Sequence, residues 1–300
     1  MKTTTIVISM YNGKKKVLDI IDKLLLPSLL NNGNVNMELI LIDDCSPLQK
    51  ETNAIIGRYL PDLENVFGSI IFTKNKSNLG FAKSFNRGIK MASGRNLVIA
   101  NDDLYFPKGS IEKLVGTLLN SHYLLVGPIS NNKELFTFQY CKQAPKLKSY
   151  SSQEIERLEL FSQFLTNKMH GQLKVSDDLC GFCFAADSFF LKEIGGFNEN
   201  YKHGFWEDVD LIRKINDEYG YGKTVINMEV FIGHRGVGGS PSTFFAQQPL
   251  KDAYYLLANG FKYANTWGYG GAIKRMIFGL QSQSSGKGTI SELLPKDIEF

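Results

Sequence analysis

Short apolar runs alternate with longer amphipathic ones along the first half of the chain. The runs Thr5–Met10, Glu38–Ile42, Ser69–Thr73, Asn96–Ala100 and Tyr123–Val126 predict strands. Between them, Lys14–Leu30, Leu48–Leu60, Phe81–Ala92 and Ser110–Leu119 carry apolar positions at helical spacing and predict helices. This alternation argues for an α/β fold whose central sheet is mostly parallel and covered by helices on both faces. In such sheets ligands bind at the carboxyl ends of the strands, so chemistry is expected in the residues just after each one.

From about Ile129 to Lys174 the alternation lapses. A polar run, Ser130-Asn131-Asn132-Lys133-Glu134, is followed by a Lys/Gln/Pro stretch (Lys142–Lys148) and a helical pattern from Ser151 to Asn167, which together read as an insertion. Then come a strand pattern (Leu179–Ala186), a short helix (Asp187–Ile194), a turn at Gly195–Glu199 and a helix beginning near Trp206. The segment after Pro249 reads as helical, broken at Gly268-Tyr269-Gly270-Gly271. The expected division is one α/β domain over residues 1–248, in halves 1–127 and 128–248, with a helical extension over 249–300.

Composition narrows the class. With 43% apolar and 21% charged residues the chain can build a sizeable core, which sets it apart from disordered sequences. No apolar run reaches the ~20 residues of a membrane span, and the N-terminus lacks a signal-peptide pattern, so a cytoplasmic protein is expected. A net charge of +4 suits a phosphate-bearing ligand and does not indicate nucleic acid. Of the four cysteines, Cys180 and Cys183 spell C-G-F-C. A zinc site would need a second ligand pair close by in the sequence, so they are expected to be core thiols on a buried strand.

Four constellations carry candidate chemistry. Asp43-Asp44-Cys45-Ser46 ends the second strand, where a carboxylate can accept from a base N–H or cap the next helix. Asn101-Asp102-Asp103 ends the fourth. Adjacent carboxylates repel unless neutralised, and their hard oxygens suit Mg²⁺ or Mn²⁺; a solvated turn before Pro107 is the plainer alternative. Glu207-Asp208-Val209-Asp210 opens a helix, where the dipole favours acids, and the flanking Phe205 and Trp206 could dry one carboxylate into a general base. His234 follows an apolar run as a structural residue or a metal ligand, and the Gly/Ser-rich stretch beyond it, through Phe244, could close over phosphates.

In this order and spacing the four resemble the inverting GT-A glycosyltransferases of the family 2 type, which include rhamnosyl- and glucosyltransferases. Ile6-Val7-Ile8-Ser9-Met10-Tyr11-Asn12 is similar to that family's first strand, with Ser9 where Pro or Thr is usual. Asp43-Asp44-Cys45-Ser46 is similar to D-D-G-S, with Cys for Gly, and Asn78 through Gly88 to the N-x-G segment beside the donor. Asn101-Asp102-Asp103 matches the D-x-D-type motif, and Gly195-Gly196-Phe197 through Glu207-Asp208 the turn and acidic helix start of the acceptor side. The resemblance implies a nucleotide-diphosphate sugar donor, most often a UDP-sugar, held by Ser9, Tyr11, Asp44, Asn78, Asp102 and Glu207. It implies Mn²⁺ or Mg²⁺ on Asp103 and His234, and Asp208 as the catalytic base. The acceptor it leaves open as a glycan, a lipid-linked sugar or a macromolecule, with the insertion facing it. The tail aromatics Tyr254, Tyr255, Phe261, Tyr263, Trp267 and Tyr269 could cover their own domain or pack on a second copy.

Rival classes fit less well. A sugar nucleotidyltransferase would place a Gly-rich phosphate loop after the first strand, where this chain has Met10-Tyr11-Asn12-Gly13-Lys14. No G-x-G-x-x-G follows a strand, which argues against a nicotinamide enzyme. A catalytically inactive nucleotide-sugar-binding module would lack the acidic and metal-type residues, all of which are here.

Overall fold

A computed structural model of the chain describes residues 3–132, 138–201, 206–235, 249–270, 290 and 293–295. β1 (Thr4–Met10), β2 (Met37–Asp43), β3 (Ser69–Lys74) and β4 (Asn96–Ala100) lie parallel in the order β3-β2-β1-β4. Their aliphatic runs suit burial on both faces, and β2 and β4 are buried at every position. The sheet continues through β8 (Cys183–Asp187), β6 (Leu125–Ile129), β9 (Thr224–Phe231) and β7 (Leu173–Val175). β8 runs antiparallel to both β4 and β6, β9 is parallel to β6, and β7 closes the edge antiparallel. The sheet is thus parallel on one side and mixed on the other.

Helices cover both faces. On one, Ile6, Ile8 and Met10 of β1 pack with residues of α1 (Lys15–Ile20), α3 (Gln49–Val66) and α5 (Ser110–Leu119). On the other, Val7 packs with α4 (Phe81–Met91), α7 (Ser188–Glu193) and α8 (Glu207–Tyr219). Gly88 makes the α4 contact possible, since a Cβ there would lie 2.2 Å from Val7 Cγ1. A third cluster seats Leu158, Phe161 and Leu165 of α6 (Ser152–Lys168) on Ile226, Met228 and Phe231 of β9. Each fully buried side chain of this size contributes about 1.5–3 kcal/mol relative to exposure.

Several boundaries differ from expectation for local reasons. The helix expected over Lys14–Leu30 is α1, a π-helical stretch Ile21–Leu25 and α2 (Leu26–Leu30). Pro27 cannot donate to the carbonyl four residues back, and the ladder slips a register ahead of it. α3 runs on past Pro61, which is exposed; Gly57, one turn back, has open space where a side chain would stand. The strand expected from Leu179 begins only at Cys183, so C-G-F-C is mostly loop, with Cys180 half-buried and Cys183 buried.

Two further pieces lie near the strand ends and the acidic helix. A two-stranded ribbon, β5 (Leu104–Tyr105) with β10 (Gly233–His234), sets His234 opposite Leu104, beside the end of β4. α9 (Pro249–Trp267) lies in the segment 249–300 read as a helical extension; beyond Gly270 most of that segment lies outside the described residues. Among the described residues no helix is long and apolar enough to cross a membrane.

Candidate active site

Because β1, β2 and β4 are parallel, the residues after them meet at one edge of the sheet. Ser9 and Tyr11 are half-buried at the end of β1, and Asp44 is buried just after β2. Asp43 Oδ1 accepts from the Ser46 N–H at 2.8 Å and closes its own turn. Asp44 accepts from the backbone N–H groups of Leu79 and Gly80 at 2.8 Å and from Asn75 Nδ2 at 2.7 Å. Its carboxylate therefore orders the loop between β3 and α4. Burial pushes its pKa above the ordinary carboxylate value, and these hydrogen bonds pull it back. Directly after Asp44, Cys45 has φ +61°, a left-handed backbone that glycine adopts freely and cysteine does not.

The Asp102–Asp103 pair after β4 is enclosed, with exposures of 3% and 0%. Asp102 Oδ2 lies 3.4 Å from the Tyr11 N–H. Burial first, and then the neighbouring Asp103 charge, push the Asp102 carboxyl well above the usual carboxylate range. His234 Nε2 lies 3.1 Å from each Asp103 oxygen, and Asp103 Oδ1 is buried without a hydrogen bond. Asn131 Oδ1 accepts from the His234 N–H at 2.8 Å, Asn132 Nδ2 lies 3.2 Å from Nδ1, and Phe182 stacks on the ring at 5.3 Å.

These residues fit a hard divalent cation. Two buried, neighbouring carboxylates, and an imidazole nitrogen shared between both oxygens of one of them, form a set that a divalent cation could join. Asn132 can turn either its NH₂ or its carbonyl to Nδ1, so it can support either tautomer of the ring. The described residues contain no group of three or more His, Cys, Asp and Glu placed to hold a metal. An ion held by one or two protein groups takes its remaining ligands from substrate phosphates and water.

The second acidic pair opens α8. Glu207 is buried and Asp208 half-buried, and both lie where the helix dipole favours negative charge. Asp208 Oδ2 accepts from the Gly181 N–H at 2.9 Å and Oδ1 from the Val209 N–H at 2.8 Å. A Cβ on Gly181 would stand 3.0 Å from Asp208 Cβ, a tight contact that would press the carboxylate by a few tenths of an ångström.

One short segment joins the two pairs. Gly181 holds Asp208; its neighbour Phe182 backs His234, and the Phe182 carbonyl accepts from the Asn101 N–H at 2.9 Å. The expectation that C-G-F-C is a buried strand missed this. Asn131 and Asn132, in a polar run assigned to an insertion, were missed as well. Asn78, expected beside the donor, is exposed in the β3–α4 loop. Asn86, from the same motif, clamps the turn after α7: its Nδ2 donates to the Phe197 carbonyl and its Oδ1 accepts from the Phe197 N–H. The closing loop expected between Gly236 and Phe244, and Phe205, lie outside the described residues.

Known proteins share this arrangement of elements. The model of glycosyl transferase family 2 matches residues 5–195. An uncharacterised glycosyltransferase of Haemophilus influenzae is 26% identical over 226 residues, 74% of this chain and 65% of that protein. The chain thus spans less than two thirds of that relative's length. A mannosyltransferase of Pyrobaculum calidifontis, solved with GDP-Man and Mn²⁺, superposes with a TM-score of 0.55 at 13% identity, over 95% of this chain and 87% of that one. GalNAc-T7, solved with UDP, GalNAc and Mn²⁺, superposes with a TM-score of 0.56 at 17% identity, over 98% of this chain and 53% of that one. At these identities the likeness is one of fold, and it is the GT-A-like α/β fold expected from the sequence.

Proposed function

The chain belongs to glycosyl transferase family 2, and from that premise we propose that it transfers a sugar from a nucleotide-diphosphate donor to an acceptor hydroxyl with inversion. The observation that carries this reading is the pairing of two unlike acidic corners through Gly181–Phe182. One is the buried Asp102–Asp103–His234 set, the other Asp208, poised at the start of a helix.

Asp103 and His234 would hold a divalent cation, Mn²⁺ or Mg²⁺, which when bound supplies Lewis-acid neutralisation of the diphosphate charge. Mn²⁺ accompanies the nucleotide in both solved neighbours. Ser9, Tyr11 and Asp44 would line the nucleoside; since Asp44 already accepts three hydrogen bonds, its part is largely to shape the wall of that pocket. Asp102 and Glu207 would lie towards the donor. Asp208 takes the proton of the acceptor hydroxyl as its oxygen bonds to the anomeric carbon and the bond to the diphosphate oxygen breaks. Attack opposite the leaving group inverts that carbon, and no sugar becomes attached to the protein. The donor is a UDP-sugar in this reading, and the acceptor a hydroxyl on a glycan, a lipid-linked sugar or a macromolecule.

Nucleoside diphosphate release from a panel of nucleotide sugars with Mn²⁺ tests this. One donor is expected to turn over, at least onto water, to stop on chelation, and to give a product of opposite anomeric configuration by NMR. Asp208→Asn is expected to lower turnover about 10²–10⁴-fold, the range for a general base. Folded protein that releases nothing from any donor would overturn the proposal.

A further inference from the structure

The acidic start of α8 is not self-supporting. Trp206, just before it, is buried with φ +73° and ψ −12°, a left-handed conformation that a bulky residue holds only when its surroundings impose it. Tyr201 and Val209 share its buried cluster, and α9 supplies the rest of the described contacts. The indole N–H of Trp206 donates to the Leu256 carbonyl at 3.1 Å, and its ring packs on Tyr263 with centroids 5.0 Å apart. Gly260 lets the helix come this close, since a Cβ there would stand 3.2 Å from the indole.

A second tether lies one turn further on. Asp210, 3% exposed, accepts through one oxygen from the Tyr201 hydroxyl at 2.8 Å and from the Trp267 indole N–H at 2.7 Å. Lys262 of α9 also donates to the Asn200 carbonyl at 2.8 Å, beside Tyr201. Glu207 and Asp208 sit between the two tethers. The family match ends at residue 195, ahead of α8 and α9 alike.

We propose that α9 is a positioning element of the active site: through Trp206 and Asp210 it fixes the start of α8 and so aims the Asp208 carboxylate. This rests on Asp208 being the base. Asp210 and Trp267 touch no reacting atom; they act through the backbone that carries Asp208. A carboxylate displaced by even an ångström from its proton loses rate while the donor, bound at the other corner, is unaffected.

The test is steady-state kinetics of the full chain with its donor and Mn²⁺, on Asp210→Ala, Asp210→Asn, Trp267→Phe and the reference Asp208→Asn. Circular dichroism and melting confirm folding. Asp210→Ala is expected to lower kcat at least tenfold with donor KM within about twofold. Asp210→Asn, which keeps an oxygen acceptor for both donors, is expected to recover most of that loss. Trp267→Phe, which keeps the ring and deletes one donor, is expected to fall between, and it decides the matter if Asp210→Ala fails to fold. Turnover within twofold of wild type in folded variants, or kcat and donor binding falling together, would overturn the proposal. If Asp208→Asn itself keeps full turnover, the assignment of the base has failed instead, and the clamp with it.

Discussion

The molecule sets two pairs of neighbouring acids at one edge of its sheet and treats them in opposite ways. Asp102 and Asp103 follow a buried strand, with the Tyr11 N–H at 3.4 Å as a weak donor to Asp102 and His234 Nε2 3.1 Å from both Asp103 oxygens. Glu207 and Asp208 open a helix, and both Asp208 oxygens are met by backbone N–H groups within 2.9 Å. In the first pair Asp103 is faced by a side chain, the His234 imidazole; in the second Asp208 is met by peptide N–H groups, and the helix that carries it is held at its flanks by α9. In the proposed reading the enclosed pair with its imidazole is the place for a cation, and the half-buried Asp208 is the group that meets the acceptor hydroxyl. The same two residue types serve different ends because their backbone surroundings differ.

Disturbing the second pair by shape alone is expected to give the larger effect. Gly181→Ala puts a Cβ 3.0 Å from Asp208 Cβ and pushes the carboxylate aside. Turnover should fall about tenfold, less than the roughly 10² of a full ångström of misplacement, while nucleotide binding stays. Unchanged turnover would mean that the Gly181 contact does not aim Asp208, the proposed base.

The first pair can be probed through stability without metal. A carboxyl raised in the native state binds more protons there than in the unfolded chain, between its ordinary value and the raised one. Stability should then fall as pH climbs from about 4 through that interval, because of Asp102. Asp102→Asn removes the penalty. Its melting temperature without metal should exceed wild type at pH 8, each unit of elevation being worth about 1.4 kcal/mol. Equal or lower melting would show the pair to be balanced already.

The smallest expected effect lies beside Asp44. Cys45→Gly relieves a left-handed cysteine and should stabilise the fold by roughly 1 kcal/mol at most, read as a rise in the chemical-denaturation midpoint. A fall would place a needed contact on the thiol.

Much of the fold and site was legible in the sequence where cause and effect are local. β1, β2 and β4 announce themselves because burial on both faces leaves unbroken aliphatic runs. Asp102–Asp103 stands out because adjacent acids at a strand end demand a reason. β9 went unnoticed because Asn227 and Glu229 interrupt its apolar run, and both are employed: Asn227 donates to Thr117, and Glu229 accepts from the Gly171 N–H. His234 was singled out, yet its partners Asn131 and Asn132 lie more than 100 residues away, beyond any pattern along the chain. The tail aromatics divide as only a structure can show. Tyr263 and Trp267 turn toward Trp206 and α8, while Tyr254, Phe261 and Tyr269 are exposed.

The central claim is that the two corners do separate work, and thermal denaturation with UDP, GDP or dTDP, with and without Mn²⁺, tests it most directly on wild type, Asp103→Ala and Asp208→Asn. One nucleotide is expected to stabilise wild type only with the metal, by about 2.7 kcal/mol at a hundredfold excess over Kd. Asp208→Asn should keep that shift and Asp103→Ala should lose it. A metal-dependent shift that survives in Asp103→Ala, or vanishes in Asp208→Asn, would contradict the account.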